Sequence, residues 1–289
     1  MSDFQSEQAL DAENFQAIAE LAYQESGLRL LAEKKSMIQS RLRKRLKVLG
    51  YSDFSRYARH VCSDAGREER RYMISALTTN VSHFFREIHH FEYLKAEIAP
   101  ALISALNAGK RVRIWSAGCS NGQEAYSLAM LFSELFPTVF ESDFRILATD
   151  IDPNVVAFAR TAEYPERLIN GVPSVMLSKY FRKASGSSEV LYTVDSKIAR
   201  LVTFRELNLL SDWPMRQQFD VIFCRNVVIY FDSETQDTLW PRFHSVLKPD
   251  GLLFLGHSER ISQPEQTGFQ NCGPTTYRSA GITRNTPGY

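Results

Sequence analysis

Cysteines are few in this chain, and their spacing excludes the common cysteine-based sites. The 289 residues include Cys62, Cys119, Cys224 and Cys272, with no C-x-x-C pair among them. Such isolated cysteines favour reduced thiols in a cytosolic protein over zinc ligands or a disulfide framework. We therefore expect a cytoplasmic protein without a bound metal.

Long apolar stretches and an excess of one charge are missing as well. The first fifteen residues, MSDFQSEQALDAENF, are polar and acidic, and no apolar run reaches the length that spans a bilayer. The 34 Lys and Arg residues are balanced by 33 Asp and Glu residues, which leaves a net charge of +1. A protein with this balance has no general attraction for nucleic acid. We expect neither membrane insertion nor a nucleic-acid partner.

Residues 111–126, RVRIWSAGCSNGQEAY, are the most informative stretch that is present. An apolar, β-prone run at 112–115 is followed by a turn of small residues and then by a helical pattern, an order that brings a ligand against a helix N-terminus. Gly118 and Gly122 allow a sharp turn and a close approach of the ligand. Their G-x-x-x-G spacing differs from the dinucleotide fingerprint, and Glu124 would repel a pyrophosphate but suit a cationic ligand such as S-adenosylmethionine (SAM). Taken alone, the turn is either a cofactor loop or a tight structural turn.

The first 78 residues show helical patterns and almost no strand signals. Apolar spacing predicts helices at about 11–25, 33–49, 53–61 and 68–77, with Gly27 and Gly50 ending the first two. The second helix carries a dense basic run: Lys34, Lys35, Arg41, Arg43, Lys44, Arg45 and Lys47. Such a run is either a solvated helix face, which the run alone favours, or a docking surface for an acidic partner.

Residues 77–87, LTTNVSHFFRE, join the helical part to the rest of the chain. They are either a linker between domains or a loop folding over a cofactor, with Asn80 and Ser82 as hydrogen-bonding groups and Arg86 as a clamp for a carboxylate. A connecting helix is predicted from Ile88 to Ile98, stopping near Pro100.

From residue 111 the pattern is that of an α/β protein. The predicted strand 144–149 ends in Asp150, where nucleotide-binding α/β folds hold ribose hydroxyls. The strand 219–224 leads into Arg225 and Asn226, with Tyr230 one helical turn later, so these residues lie where a cofactor or substrate would bind. Turn signals and short strands at about 163–200 predict a small β-containing insertion.

Five segments together resemble one family, the CheR-type chemotaxis receptor glutamate methyltransferases. They are LTTNVSHFFRE, WSAGCSNGQEAYSLAM, ATDIDPNVV, FDVIFCRNVVIYF and LLFLGHSE, and the resemblance runs from about Phe15 to Tyr277. It implies an α/β fold in which an N-terminal all-helical domain (1–78) is followed by a linker and connecting helix (79–110) and by a Rossmann-like methyltransferase domain (111–289) with a small inserted β-subdomain. Ser82 stands where the family commonly has threonine, and Gln123 and Ala125 stand where it usually has Glu and Pro.

The resemblance also implies an activity and a set of site residues. The activity is methyl transfer from SAM to glutamate carboxylates of bacterial chemoreceptors, giving S-adenosylhomocysteine and a glutamate methyl ester. Glu124 and Asp150 are expected to hold the ammonium side and the ribose hydroxyls of the cofactor, in one order or the other, and the position at a strand end favours Asp150 for the ribose. Arg86 and Tyr230 are the expected catalytic residues that orient the reactants. The implied cofactor contacts are Asn80, Ser82, Arg86, Glu124, Asp150, Asn208, Leu209, Arg225 and Asn226.

An acidic substrate changes the interpretation of the basic helix. The cytoplasmic helical region of a chemoreceptor carries several glutamates, which favours docking by Arg41, Arg43, Lys44, Arg45 and Lys47. A receptor C-terminal tail is a further candidate partner, which would add a strand to the β-subdomain. Two alternatives stay open: a methyltransferase of the same fold with another substrate, and a non-catalytic scaffold that binds SAM.

Overall fold

The computed structural model of the protein describes residues 9–184 and 190–280. The predicted first and last domains and the predicted insertion extend into residues 1–8, 281–289 and 185–189, which lie outside the described residues.

The N-terminal part is a set of helices with a hydrophobic core of its own. Aspartate side chains cap the first and third helices, and Gly27 and Gly50 end the first two in the left-handed conformation, as predicted. Ile38, Leu42 and Leu46 anchor the second helix in this core. The four helices are α1 (Ala12–Ser26), α2 (Lys35–Leu49), α3 (Phe54–Cys62) and α4 (Arg67–Leu77).

The connecting helix continues past Pro100, so the predicted stop is wrong. It consists of α5 (Ile88–Tyr93), a π-helical turn (Leu94–Ile98) and α6 (Ala99–Asn107). Pro100 lies in the first turn of α6, where a missing N–H costs little. The wider π turn before it lets the helix pass the proline ring without ending.

A seven-stranded sheet, in the order β6-β2-β1-β7-β8-β10-β9, forms the centre of the larger part. Five neighbouring strands are parallel, while β10 and β9 add an antiparallel edge. Because the chain moves from β1 to β2 on one side and later returns to β7 on the other, a crevice forms at the carboxyl ends of these three strands. The strands are β1 (Val112–Ala117), β2 (Phe144–Asp150), β6 (Val202–Glu206), β7 (Phe219–Cys224), β8 (Leu247–Leu255), β9 (Phe269–Gly273) and β10 (Thr276–Ser279).

Helices surround this sheet, and the insertion forms a second, smaller one. The insertion holds an antiparallel sheet in the order β3-β5-β4, which agrees with the predicted β-subdomain. Its strands are β3 (Glu163–Pro165), β4 (Phe181–Lys183) and β5 (Leu191–Val194). The remaining α-helices of this part are α7 (Gln123–Leu135), α8 (Pro153–Thr161), α9 (Ser174–Tyr180), α10 (Ser196–Ala199) and α11 (Ser233–Val246). In the described part of the chain, no helix has both the length and the apolar character needed to cross a bilayer.

Candidate active site

A cavity of about 940 Å³, including its open mouth, lies at the carboxyl ends of β1, β2 and β7. The structure brings together every residue that the sequence proposed for cofactor binding or catalysis. Those that line the cavity are Asn80, Ser82, Arg86, Glu124, Asp150, Asn208, Leu209, Arg225, Asn226 and Tyr230.

The helical part closes one side of this cavity, which the sequence did not predict. Ser26, Leu28, Ile74 and Thr78 belong to its lining. Polar contacts join the two parts beside the cavity: Tyr23 Oη donates to Asp232 Oδ2 (2.7 Å), Arg71 pairs with Glu206, and Asn208 Nδ2 donates to the carbonyl of Glu25 (2.7 Å).

The two glycines of the β1–α7 turn pack closely against neighbouring side chains. Both have positive φ, 82° at Gly118 and 84° at Gly122, as a sharp turn requires. A Cβ on Gly118 would lie 2.2 Å from Cγ2 of Val227, and one on Gly122 would lie 2.8 Å from Cβ of Ala159. The nearest neighbours of these positions are protein side chains, so close packing is a physical reason for glycine at both. Gly118 also lines the cavity, and the expected close approach of a ligand there stays a prediction.

Asp150 lies at the end of β2, held by backbone amides. Its Oδ2 accepts from the N–H of Ser120 (2.8 Å) and its Oδ1 from the N–H of Asp152 (3.0 Å). Burial raises the pKa of Asp150 to about 6, and these amide bonds oppose the rise. Each carboxylate oxygen can accept a further hydrogen bond, so ribose hydroxyls fit this carboxylate.

Glu124 is already paired with a cation. Its Oε2 accepts from Arg225 Nε (2.7 Å), and its Oε1 accepts from Ser116 Oγ (2.6 Å). The acid that the sequence proposed for a cationic ligand is therefore not a free charge. Its pairing instead fixes Arg225 across the floor of the cavity.

A second acid restores the negative charge around Arg225. Glu87 Oε2 lies 3.6 Å from Arg225 Nη1, which also donates to the carbonyl of Arg86 (2.6 Å). Burial, followed by the charge of Arg225, lowers the pKa of neighbouring His90 to about 4, so this histidine is neutral at pH 7. Two carboxylates share one guanidinium, and the cluster keeps one net negative charge. SAM carries one net positive charge at this pH, which fits the cluster.

Glu87, His89 and His90 could in principle hold a metal, because their ligand atoms lie within 4.8 Å of one another. Arg225 Nη1 lies 3.3 Å from His90 Nδ1, however, on the side that a metal would occupy. A metal ion would meet the charge of this guanidinium, so we assign no metal to the cluster.

Arg86 and Tyr230 lie along the linker side of the cavity. Arg86 Nη1 donates to the carbonyl of Val81 (2.9 Å), and Tyr230 Oη lies 3.5 Å from the carbonyl of Thr79. Within the described residues, Arg86 forms no ion pair with a carboxylate. Its guanidinium is therefore available to a carboxylate that enters from outside.

Asn80 and Ser82 are held by different groups of the glycine-loop region. Asn80 Nδ2 donates to Asp152 Oδ2 (2.7 Å), and its carbonyl accepts from Ser120 Oγ (3.1 Å). The carbonyl of Ser82 accepts from Gln123 Nε2 (3.3 Å). The linker is thus tied to the β1–α7 turn, which supports its reading as a loop over the cavity.

Asn208 uses its side chain within the protein. In addition to the bond with Glu25, its Oδ1 accepts from the N–H of Leu210 (2.9 Å). The amide keeps one N–H and one lone pair for a cofactor, while Leu209 offers a buried apolar side chain.

The basic helix α2 divides its charges between two tasks, which corrects the predicted docking set. Arg41 Nη1 donates to the carbonyls of Leu77 (2.8 Å) and Thr78 (2.9 Å), and Arg45 forms two hydrogen bonds with buried Glu69. Glu69 neutralises the charge of Arg45, whereas neutral acceptors hold the side chain of Arg41 and leave its charge. Neither side chain is free to turn towards a partner. The exposed basic residues of the set are Arg43, Lys44 and Lys47.

Comparison with known proteins identifies the family. A model described as "CheR methyltransferase, all-alpha domain" matches residues 13–78, and one described as "CheR methyltransferase, SAM binding domain" matches residues 80–278. The chain belongs to the CheR methyltransferase family. It is therefore a methyltransferase, and its larger part is a SAM-binding domain.

Relatives match almost the whole chain. A probable chemotaxis protein methyltransferase of Rhizobium etli is 46% identical over 89% of this chain and 96% of its own length. The chemotaxis protein methyltransferase of Escherichia coli K12 is 38% identical over 93% of this chain and 91% of its own length. Chemotaxis protein methyltransferase 2 of Pseudomonas aeruginosa is 37% identical over 93% of both chains.

Two acidic residues that contact the cavity-lining residues were missed. Glu87 belongs to the Arg225 cluster, and Glu259 accepts hydrogen bonds from the backbone that follows β7. Each residue closes one of the segments that carry the resemblance, LTTNVSHFFRE and LLFLGHSE. The available signal was an acid within these segments, four residues after the buried strand β8 for Glu259 and directly before α5 for Glu87.

Proposed function

We propose that this CheR-family protein methylates glutamate side chains of bacterial chemoreceptors from the cytoplasm, giving S-adenosylhomocysteine and a glutamate methyl ester. The observation that carries the proposal is the composition of one cavity. The buried carboxylate of Asp150 and the Glu124–Arg225 pair line this cavity, and Glu87, which contacts Arg225 from beside the cavity, leaves the cluster with a negative charge that fits SAM. Arg86, without a carboxylate partner in the described chain, fits an acidic acceptor.

The residues act mainly by binding and alignment. SAM supplies a methyl group on a cationic sulfur, and a glutamate acceptor with an ordinary pKa of about 4.3 is already ionised at neutral pH, so no general base is required. Asp150 would hold the ribose, and the Glu87–Arg225–Glu124 cluster would face the cationic end. Arg86 and Tyr230 would orient the acceptor carboxylate, which favours in-line attack.

Substrate docking would use the exposed part of the basic helix. Arg43, Lys44 and Lys47 present positive charge on the helix whose Arg41 donates to the carbonyl of Thr78 in the cavity lining. This arrangement suits the acidic helical region of a receptor, and the β-subdomain offers an edge for a receptor tail. We divide the chain accordingly into a docking domain (1–78), a linker with its helix (79–110) and a methyltransferase domain (111–289) with an insertion at about 163–200.

The test is transfer of labelled methyl from SAM to receptor-containing membranes, followed by mild base treatment and mapping of the label. Base-labile label on receptor glutamates is the expected result. Label on another acceptor would assign a different substrate to the same fold. SAM binding without transfer to any receptor would instead indicate a non-catalytic scaffold.

A further inference from the structure

Glu259 is a buried acid whose hydrogen-bond partners, in the described chain, are backbone amides. It follows β8 and is 3% exposed. Its Oε2 accepts from the N–H of Asn226 (2.8 Å) and Gly256 (2.6 Å), and its Oε1 accepts from Val227 (2.8 Å) and Ile229 (3.2 Å). Burial raises the pKa of this carboxyl, and the same four amides oppose the rise.

Three of these amides belong to the segment 225–230, which we call the β7 exit loop. It carries Arg225, Asn226 and Tyr230 into the cavity lining. Asn226 has a φ of 59°, a left-handed conformation that is strained for most residues other than glycine. The hydrogen bond from its N–H to Glu259 is part of what holds this conformation.

The fit between the β7 exit loop and the end of β8 is close. A Cβ on Gly256 would lie 2.6 Å from Asn226 Nδ2 and 2.8 Å from Glu259 Oε2. No side chain fits there without displacing the loop or the carboxylate. Close packing therefore fixes the positions of the Glu259 carboxylate, Gly256 and the β7 exit loop relative to one another.

We propose that Glu259 is a positioning residue for the methyl-transfer site. Its carboxylate fixes the backbone of residues 226–229, and this backbone aims Arg225 at Glu124 and places Asn226 and Tyr230 at the cavity. The kinetic part of its test rests on the proposed methyl transfer, whereas the binding part requires only SAM.

Glu259→Gln tests the assignment because it keeps the size of the side chain. A glutamine offers one acceptor oxygen, and its NH₂ group would face two backbone N–H donors. Two of the four amides would lose their acceptor, and the β7 exit loop would shift. Glu259→Asp keeps both oxygens but is one methylene shorter, so it provides a milder variant if the first one does not fold.

Asp220→Asn is the matched control. Asp220 lies near the start of the same strand, β7, where it accepts from the N–H of Arg113 (2.8 Å) and from Lys248 Nζ (2.7 Å). The substitution also weakens hydrogen bonds that a carboxylate accepts, but at the end of the sheet opposite the cavity. It therefore reports what lost stability alone does to SAM binding.

The experiment measures the melting temperature without SAM, the dissociation constant for SAM by calorimetry, and kcat and KM on receptor membranes. We expect Glu259→Gln to weaken SAM binding about tenfold or more and to lower kcat, with Glu259→Asp between it and the parent. Asp220→Asn should lower the melting temperature and leave both constants within about twofold.

Equal SAM affinity in the parent, Glu259→Gln and Asp220→Asn would overturn the proposal. If Glu259→Gln does not fold, unchanged SAM affinity and kcat in Glu259→Asp would overturn it instead. Glu259 would then be a purely structural residue. Failure of the parent protein to methylate any receptor would refute the proposed substrate instead, and the SAM binding comparison would still decide the role of Glu259.

Discussion

Two acids at each end of the central sheet differ in whether a cation pairs with them. At the amino ends of its parallel strands, Asp220 pairs with Lys248 and Asp143 with Arg113, and the side chain of Asp143 is 54% exposed. At the carboxyl ends, Asp150 and Glu259 are buried and their hydrogen bonds in the described chain come from backbone amides.

This difference separates acids whose charge a cation neutralises from acids that keep their charge, either in the cavity lining, as at Asp150, or against the β7 exit loop, as at Glu259. A flexible cation at a solvated surface neutralises an acid and contributes little to stability. Backbone amides hold an acid in place without cancelling its charge, and burial strengthens its interaction with any donor or cation that binds. The second arrangement is therefore the one that prepares a ligand site.

The largest effect on SAM affinity should come from removing the charge of Asp150 at the carboxyl ends of the strands, where the cavity lies. Asp150→Asn replaces an acceptor of ribose hydroxyls by an amide, and we expect SAM binding to weaken roughly ten- to hundredfold, as for lost hydrogen bonds to a charged group. Asp143→Asn makes the same change at the other end and should leave the dissociation constant unaltered. Isothermal titration calorimetry measures both, and equal constants in the two variants would remove the distinction between the ends.

The pH dependence of SAM binding should follow the same carboxylate. With a pKa of about 6, Asp150 is mostly ionised at pH 7.5 and mostly protonated at pH 5, so affinity should fall about tenfold over this interval. The pKa of Asp150 in the folded protein lies above the ordinary value of 3.8, so the folded state binds this proton more tightly than the unfolded state does. Without SAM, the free energy of unfolding should therefore increase as pH falls from about 6 towards 4.

Asp150→Asn provides the control for both pH effects. Its SAM affinity and its stability should lose the component that titrates near pH 6, while the rest of each profile stays. An unchanged pH profile of affinity in this variant would assign the titration to another group.

The sequence predicted the positions of these charges better than their partners. Strand order along the chain placed Asp150, Arg225 and Asn226 at strand ends, which is enough to bring them to one crevice. The pairing of Glu124 with Arg225 is a contact between residues 101 positions apart, and no local pattern encodes it. Basic residues on the helix α2 likewise differ in their partners: Arg45 pairs with Glu69, whereas Lys44 is exposed.

A smaller effect is expected where an exposed cation has no structural task. Lys44→Glu on the basic helix should raise KM for the receptor a few-fold, consistent with the modest energy of surface charges, without altering SAM affinity. The matched control is Lys110→Glu, an equal charge reversal at an exposed lysine just before β1, on the amino side of the sheet. Salt titration of both variants gives the check: the difference from the parent should fade at high salt for Lys44→Glu, and equal KM values for the two variants would exclude docking at Lys44.

The smallest effect should come from removing a backbone N–H near the cavity that donates to no acceptor in the described chain. Ala125 lies in the first turn of α7, where N–H groups lack helical partners, in contrast to Ser120 and Asn226, whose amides hold the two acids. Ala125→Pro removes this N–H and restores the residue usual in the family, so we expect SAM affinity to stay within about twofold and stability to change by about 1 kcal/mol or less. Calorimetry and thermal unfolding measure the two quantities. A large loss of SAM affinity would show that the N–H of Ala125 contacts the ligand. The carboxyl ends of the strands would then offer SAM free backbone donors in addition to acids that backbone amides hold in place.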